Sequence, residues 1–288
     1  VNENIRNHII LNKKLSFYGN AVKGLDTCDN DRFVRQWHEI SRDKMSIKDS
    51  IIDKWYVYQK GGEYRKWYGN NNMVVNWEDS GNEIRSLKDS RGKIKSRPQN
   101  IRFYFQTGVT WSAIGSGKSS YRLLMDSIFG GGGNAFFPAE NVEIFLAFLN
   151  SKIPAVFLQI YNETFNNLTG DLHNIPIIFS KKNDLKIIEK VIYISQLDWN
   201  SFETSWNFAY LPLLDNSYRC HTLSVTYASL RIQWNEMTLE MQRLEEENNR
   251  VFIEAYGLQD ELTPDVPLEE ITLTCNPPYR YGPGKTDE

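Results

Sequence analysis

The sequence predicts an α+β fold: a basic, strand-rich first part followed by a helical, acidic one. Two observations carry that expectation. From residue 55 to 121, short β-prone runs alternate with glycine and asparagine turns, whereas from 184 onward apolar residues recur at spacings of three and four. Charge divides along the same line. Residues 42–122 hold 16 Lys/Arg against 8 Asp/Glu, and residues 236–288 hold 4 against 13, in a chain of 288 residues with a net charge of −3. The expected organisation is a basic, strand-rich domain over 1–180 and a helical spacer with an acidic tail over 181–288.

In chain order, residues 1–50 are polar and mixed, and Asp26-Thr27-Cys28-Asp29-Asn30-Asp31 is dense enough in turn formers to read as a loop. Strands are expected at 55–59, 73–77, 101–106 and 109–114, punctuated by Gly61-Gly62, Gly69-Asn70, Ser80-Gly81 and Arg91-Gly92. The run Gly130 to Gly133 predicts a mobile loop. Asn141 stands where a cap would, before a helix with Ile144, Phe145, Phe148 and Leu149 on one face; Pro154 breaks or kinks that helix or starts a second one. A further helix is expected over 184–197, and 198–214 reads as an aromatic connector. The longest helical signal runs over 221–256, through Leu223, Tyr227, Leu230, Trp234, Met237, Met241 and Leu244, and stops at Gly257.

Composition excludes several classes. No apolar run reaches the roughly 20 residues a bilayer span needs, because the longest, 144–160, is interrupted by Asn150, Ser151, Lys152 and Pro154. No secretory signal is visible, and Cys28, Cys220 and Cys275 form neither a disulfide framework nor a metal-ligand pair. A cytoplasmic location without membrane contact is expected. The start at Val1, without methionine, reads as a fragment of a longer protein.

Two motifs invite enzymatic readings. Gly115-Ser116-Gly117-Lys118-Ser119 resembles the end of a phosphate-binding loop, but Ser112 stands where that loop needs glycine, which leaves a glycine-rich surface turn as the bland alternative. Asn276-Pro277-Pro278-Tyr279 has the composition of an amino-methyltransferase base pocket, yet no glycine-rich loop for a methyl donor lies upstream. His8, His38, His173 and His221 show no ligand spacing.

Two segments suit nucleic-acid reading better. Lys66-Trp67-Tyr68-Gly69-Asn70-Asn71 joins a cation, flat rings and amides. Lys66, Asn70, Asn71 and Ser112 are the candidates for base edges, with Trp67, Tyr68 and Trp111 packing on sugar or an opened base step. The stretch 91–102 gathers five cations; Lys93, Lys95 and Arg97, together with Lys118, are the candidate phosphate contacts. A packed aromatic turn and a solvated loop are the competing readings of the two segments.

A resemblance joins these pieces. Gly24-Leu25-Asp26-Thr27-Cys28 through Asp31-Arg32-Phe33-Val34-Arg35-Gln36-Trp37, Arg65-Lys66-Trp67-Tyr68-Gly69-Asn70, Val74-Val75-Asn76-Trp77-Glu78, Ser96-Arg97-Pro98 and Thr110-Trp111-Ser112 open the set. Phe148-Leu149-Asn150-Ser151-Lys152, Asn174-Ile175-Pro176-Ile177, Phe202-Glu203-Thr204-Ser205-Trp206 and Tyr256 to Leu262 complete it. In this order they resemble the C-terminal half of the PglX-type adenine-specific DNA methyltransferases of BREX phage-defence systems. The Leu-Asn-Ser-Lys and Asn-Ile-Pro-Ile pair also resembles target recognition domains of restriction–modification enzymes. The resemblance implies a double-stranded DNA partner and S-adenosylmethionine as donor in the parent protein. It places no cofactor and no catalysis in this chain, since both belong to an N-terminal methyltransferase domain of the same polypeptide; other defence-system proteins are further expected partners. It leads to glycine at the position of Cys28 and to an apolar strand where Gly130 to Gly133 stand. A protein-interaction module without DNA contact and a self-sufficient methyltransferase are the alternatives.

Overall fold

The computed structural model describes residues 3–45, 54–113, 118–161, 168–179 and 185–286. Gly115, Ser116 and Gly117 of the glycine-lysine motif and Asp184 lie outside them. The chain opens with helix α1 (Glu3–Leu11), strands β1 (Gly19–Val22) and β2 (Leu25–Asp26), and a short turn of helix, α2 (Asn30–Phe33), whose first turn is capped by the Asp29 carboxylate accepting from Arg32 N at 3.2 Å. Strands β3 (Val34–Gln36), β4 (Trp55–Gln59) and β5 (Met73–Asn76) follow, then α3 (Glu78–Arg85), β6 (Arg97–Pro98), β7 (Gly108–Ser112), β8 (Tyr121–Leu124), β9 (Ile128–Phe129) and β10 (Gly133–Pro138). Helices complete the chain: α4 (Val142–Asn150), α5 (Ile153–Tyr161), α6 (Thr169–His173), α7 (Leu185–Asn200), α8 (Leu223–Tyr256) and α9 (Pro277–Tyr281).

Two four-stranded sheets form, in the orders β1-β10-β7-β8 and β3-β5-β4-β9, with β2 and β6 pairing apart from them. All pairs are antiparallel except β4 with β9. Along β10, Ala135 and Phe137 face one way and Phe136 the other, as the two-residue strand period requires. That alternation builds two cores on opposite faces of the first sheet. Ala135, Phe137 and Leu124 pack with Tyr58, Val75 and Phe129 of the second sheet. Phe136, Val109 and Trp111 pack instead under α4, α5, α7, α8 and the tail residues Ile271 and Leu273. This second core runs from Ile5 to Leu273, so it crosses the boundary expected near 180.

Several expected elements sit where the sequence placed them, and three differ. The run at 101–106 is a 3-10 turn over Ile101–Phe103, because Asn100 (φ 56°) and Phe105 (φ 66°) are left-handed and break the extended backbone. Asn141 precedes α4 in a left-handed conformation and its side chain makes no cap. Of the alternatives open for Pro154, the start of a second helix holds: it stands in the first turn of α5. The glycine run is packed: Gly130 N and Gly131 N donate to Gln59 O and Leu25 O, and a side chain on Gly133 would meet Gln59 O at 2.5 Å. Glycine is needed there for close approach of backbones. Gly257 ends α8 at φ 62°, as expected.

The motif residues hold joints. Asn150 reaches the edge strand β8, accepting from Tyr121 N at 3.0 Å and donating to Tyr121 O at 2.9 Å. Ile175 O accepts from Leu15 N and Ile177 N donates to Lys13 O, which ties 174–177 to the chain start.

Candidate nucleic-acid interface

The segment from Arg65 to Asn71 is drawn into the interior. Arg65 Nη2 pairs with Asp198 of α7 at 2.7 Å, its Nη1 donates to Thr274 Oγ1 at 3.0 Å, and its guanidinium lies 4.9 Å from the Trp199 ring centroid. Asp198 also accepts from the backbone N–H groups of Thr274 and Cys275, at 2.7 and 3.0 Å. Lys66 is 5% exposed and pairs with Glu245 of α8, which also accepts from Trp67 Nε1 at 2.7 Å. Burial, the largest single influence, pushes the Lys66 ammonium down; Glu245, Tyr64 and Glu270 together outweigh that and hold the group above its ordinary value. Buried with their shared carboxylate, the lysine and the indole are out of reach of a base or a phosphate.

The remaining candidates divide by exposure. Asn71 is buried, with Nδ2 donating to the Tyr68 hydroxyl at 3.2 Å, and Trp111 is fully buried beside Tyr121. Together with Lys66 and Trp67, these positions correct the expected base contacts: core formation and charge pairing consumed them. Tyr68 is half-buried and burial pushes its phenol up. Asn70 is half-buried at φ 57° and donates to Glu63 O at 2.9 Å. Ser112 is half-buried and exchanges hydrogen bonds with the backbone of Gly62. Lys118 is exposed but pairs with Glu270 at 2.5 Å. The acidic tail therefore neutralises part of the basic half within the molecule.

What stays open is a hairpin between α3 and β6. Lys95 N donates to Leu87 O and Asp89 N to Lys93 O, both at 2.8 Å, and Lys88 bridges Ile94 across the ribbon. The Asp89 carboxylate accepts from Arg91 N and Lys93 N at 2.9 Å each, an Asx turn that fixes the tip. Ser96 is buried and hydrogen-bonds Ile84 O, which anchors the base of the ribbon on α3. Lys88, Arg91, Lys93, Lys95 and Arg97 are all exposed, and among the described residues none of them forms an ion pair. Lys93, Lys95 and Arg97 recur every second residue, which puts them on one side of an extended chain about 7 Å apart. Arg97 pairs in register with Asp26, and Cys28 feels the charges of Lys95 and Arg97, so the 26–31 loop borders this surface. Cys28 takes φ 55°, the left-handed conformation that explains why glycine is expected there.

A cleft of about 570 Å³ lies between the second sheet and the tail, lined by Tyr64, Arg65, Asn70, Trp199, Tyr279 and Arg280. The Asn276-Pro277-Pro278-Tyr279 motif borders it but is locked. Asn276 is buried, with Nδ2 donating to Leu268 O and Ile271 O, and the Tyr279 hydroxyl donates to Tyr64 O at 2.6 Å. With Asn276 only 1% exposed, its amide is out of reach of an extruded base, and the motif does not fit one. Among the described residues, no single helix is long and apolar enough to cross a membrane.

Comparison with known proteins bears on these assignments. The chain is 35% identical over 268 residues to the adenine-specific methyltransferase PglX of Lacticaseibacillus casei (strain Zhang), covering 88% of this chain. It is 34% identical over 275 residues to the adenine-specific methyltransferase BrxX of Escherichia coli O9:H4 (strain HS), covering 93% of this chain. The chain matches a region of these PglX- and BrxX-type methyltransferases. It spans 22% of the length of each of these relatives. No protein-family model matches the chain. Among solved structures, it resembles the type IIL restriction–modification enzyme MmeI, solved in complex with DNA, at a TM-score of 0.49 and 12% identity, over 88% of this chain and 34% of that one. The family signature pieces Arg65 to Asn70 and Leu149 to Lys152 are, in this chain, joints between its two halves.

Proposed function

We propose that this region reads double-stranded DNA for an adenine-specific methyltransferase of phage defence or restriction–modification. The observation that carries the reading is the preorganised hairpin with Lys88, Arg91, Lys93, Lys95 and Arg97 exposed and in no ion pair among the described residues. A row of cations at strand spacing suits the regular negative charge of a phosphate backbone. Lys93, Lys95 and Arg97 set the register; Asn70, in the loop before β5, and Ser112, at the end of β7, are both partly accessible and are the remaining candidates for polar contact. S-adenosylmethionine binding and methyl transfer fall to an N-terminal methyltransferase domain of the same polypeptide. The helical part over 181–288, welded to the reader through Asp198 and Glu245, holds it at a fixed angle to that domain in the cytoplasm.

Fluorescence anisotropy with a randomised 30-base-pair duplex pool, repeated across salt concentrations, tests this. The wild-type chain binds with an affinity that falls steeply with salt. Lys93→Ala/Lys95→Ala/Arg97→Ala lowers the log–log salt slope by about 3, since each phosphate contact contributes about 0.9. Equal slopes for wild type and triple variant overturn the reading.

A second reading rests on α8. It leaves Val225, Ile232 and Leu239 exposed at seven-residue spacing and so on one face, an apolar stripe fit for another protein. Under that reading the triple variant keeps all partner binding and no duplex affinity is found for either protein.

A further inference from the structure

We infer that Ile94 is a wedge: an apolar side chain that the basic hairpin inserts at a base step of bound duplex DNA. The inference rests on the DNA-reading proposal above and assigns a distinct task to one residue of it. Ile94 is 58% exposed, although it is β-branched, apolar and flanked in sequence by Lys93 and Lys95. Exposure of a single isoleucine is unremarkable on most surfaces. Here its position is unusual. The backbone around it is held by two cross-ribbon hydrogen bonds and the Asp89 turn, so the side chain is presented by a fixed scaffold.

The strand period separates two functions on this ribbon. Lys93, Lys95 and Arg97 alternate onto one side, while Ile94 shares the other with its cross-strand partner Lys88. A two-stranded ribbon fits the major groove, and a basic element entering either groove meets phosphate walls on its flanks and base edges at its front. With the Ile94 side of the ribbon turned to the bases, Lys88 shares that front, the flexible stems of Lys93 and Lys95 reach round the ribbon's edges to the phosphate walls, and Ile94 is the apolar side chain facing the stack. Wedges of this size, isoleucine included, partly unstack a base step and kink the duplex. The cost falls on flexible pyrimidine–purine steps least, so Ile94 also contributes sequence preference without a hydrogen bond to any base. Ile101, 41% exposed beside exposed Arg102 in the 3-10 turn after β6, repeats the pairing of an apolar group with a cation.

The test uses the full chain and a closed circular plasmid relaxed by topoisomerase I in its presence, with anisotropy on the randomised duplex pool run in parallel. An inserted side chain untwists DNA, so the wild-type chain shifts the linking number of the deproteinised plasmid. Ile94→Ala reduces the shift per bound chain at least threefold while its salt slope stays that of wild type. Ile94→Leu, which keeps the apolar volume, restores the shift. If Ile94→Ala shifts the plasmid as wild type does, or wild type binds without any shift, the wedge is wrong and the DNA-reading proposal stands. If wild type shows no salt-dependent duplex binding, the DNA-reading proposal fails and the wedge with it.

Discussion

Two cation-rich segments of this chain, Arg65 to Asn71 and Arg91 to Arg97, have similar composition and opposite fates. The first is buried against α7 and α8, with each cation matched to a carboxylate: Arg65 to Asp198 and Lys66 to Glu245. The second is solvated, rigid and, among the described residues, without a matched carboxylate. The difference lies in their surroundings. Between β4 and β5 the first segment runs along β8 at the edge of the first sheet, with Trp67 N donating to Tyr121 O and Leu123 N to Trp67 O, next to the acidic helices, whereas the second is anchored on α3 by a buried serine and returns to the small β2–β6 pair at the rim. A basic segment is a surface for polyanions only where the fold supplies no acid of its own, and here the C-terminal acidic half supplies it selectively.

The comparison can be broken at its buried end. Glu245→Ala strands the Lys66 ammonium and the Trp67 indole N–H inside the core, and it should cost about 3–5 kcal/mol of stability, read by urea unfolding. Lys66→Met/Glu245→Leu should recover most of that loss, because an apolar pair of similar volume needs no solvation. Recovery by the double variant locates the penalty in the unpaired charge; an equal loss in both would mean the pair was holding the helix by more than its charges.

Between the extremes stands His173, half-buried on α6. Its Nε2 accepts from Ala21 N on β1 at 2.7 Å, which requires the neutral ring, and burial pushes its pKa below the ordinary 6.5. The folded protein therefore binds fewer protons than the unfolded chain just below pH 6.5, so this contribution is full above that pH and fades as pH falls toward the depressed folded value. Thermal unfolding from pH 7.5 to 5 should show a slope that His173→Ala flattens. The same variant, by leaving Ala21 N unpaired, should cost about 1–3 kcal/mol at pH 7.5.

The smallest effect belongs to the exposed end. Cys28 borders the hairpin at φ 55°, and Cys28→Gly should stabilise the chain by up to about 1 kcal/mol through relief of left-handed strain. Its duplex affinity should not change. A stability loss on that substitution would show that the thiol, which donates to Asp26 Oδ1 at 3.4 Å, shapes the loop beside Lys95 and Arg97.

Much of the framework was legible in one dimension. Strands at 55–59 and 73–76, the helices after Asn141 and over 185–200, and the 34-residue α8 with its glycine stop all follow from period and punctuation, which act within a few residues. The candidate site was legible only in part. Lys93, Lys95 and Arg97 remain where composition put them, on the surface; Lys66, Trp67, Asn71 and Trp111 do not, and Ile94 carried no signal at all until its exposure was seen.

The sequence by itself determined the order of elements, the segregation of charge and the kinship with the PglX/BrxX family. Tertiary structure alone decided which cations are spent. Glu245 lies 179 residues from Lys66 and Asp198 lies 133 from Arg65, and no local pattern encodes which side chains a fold will bring together over such separations. Burial and ion pairing are properties of surroundings, and those surroundings exist only once the sheets and the long helix have closed on one another.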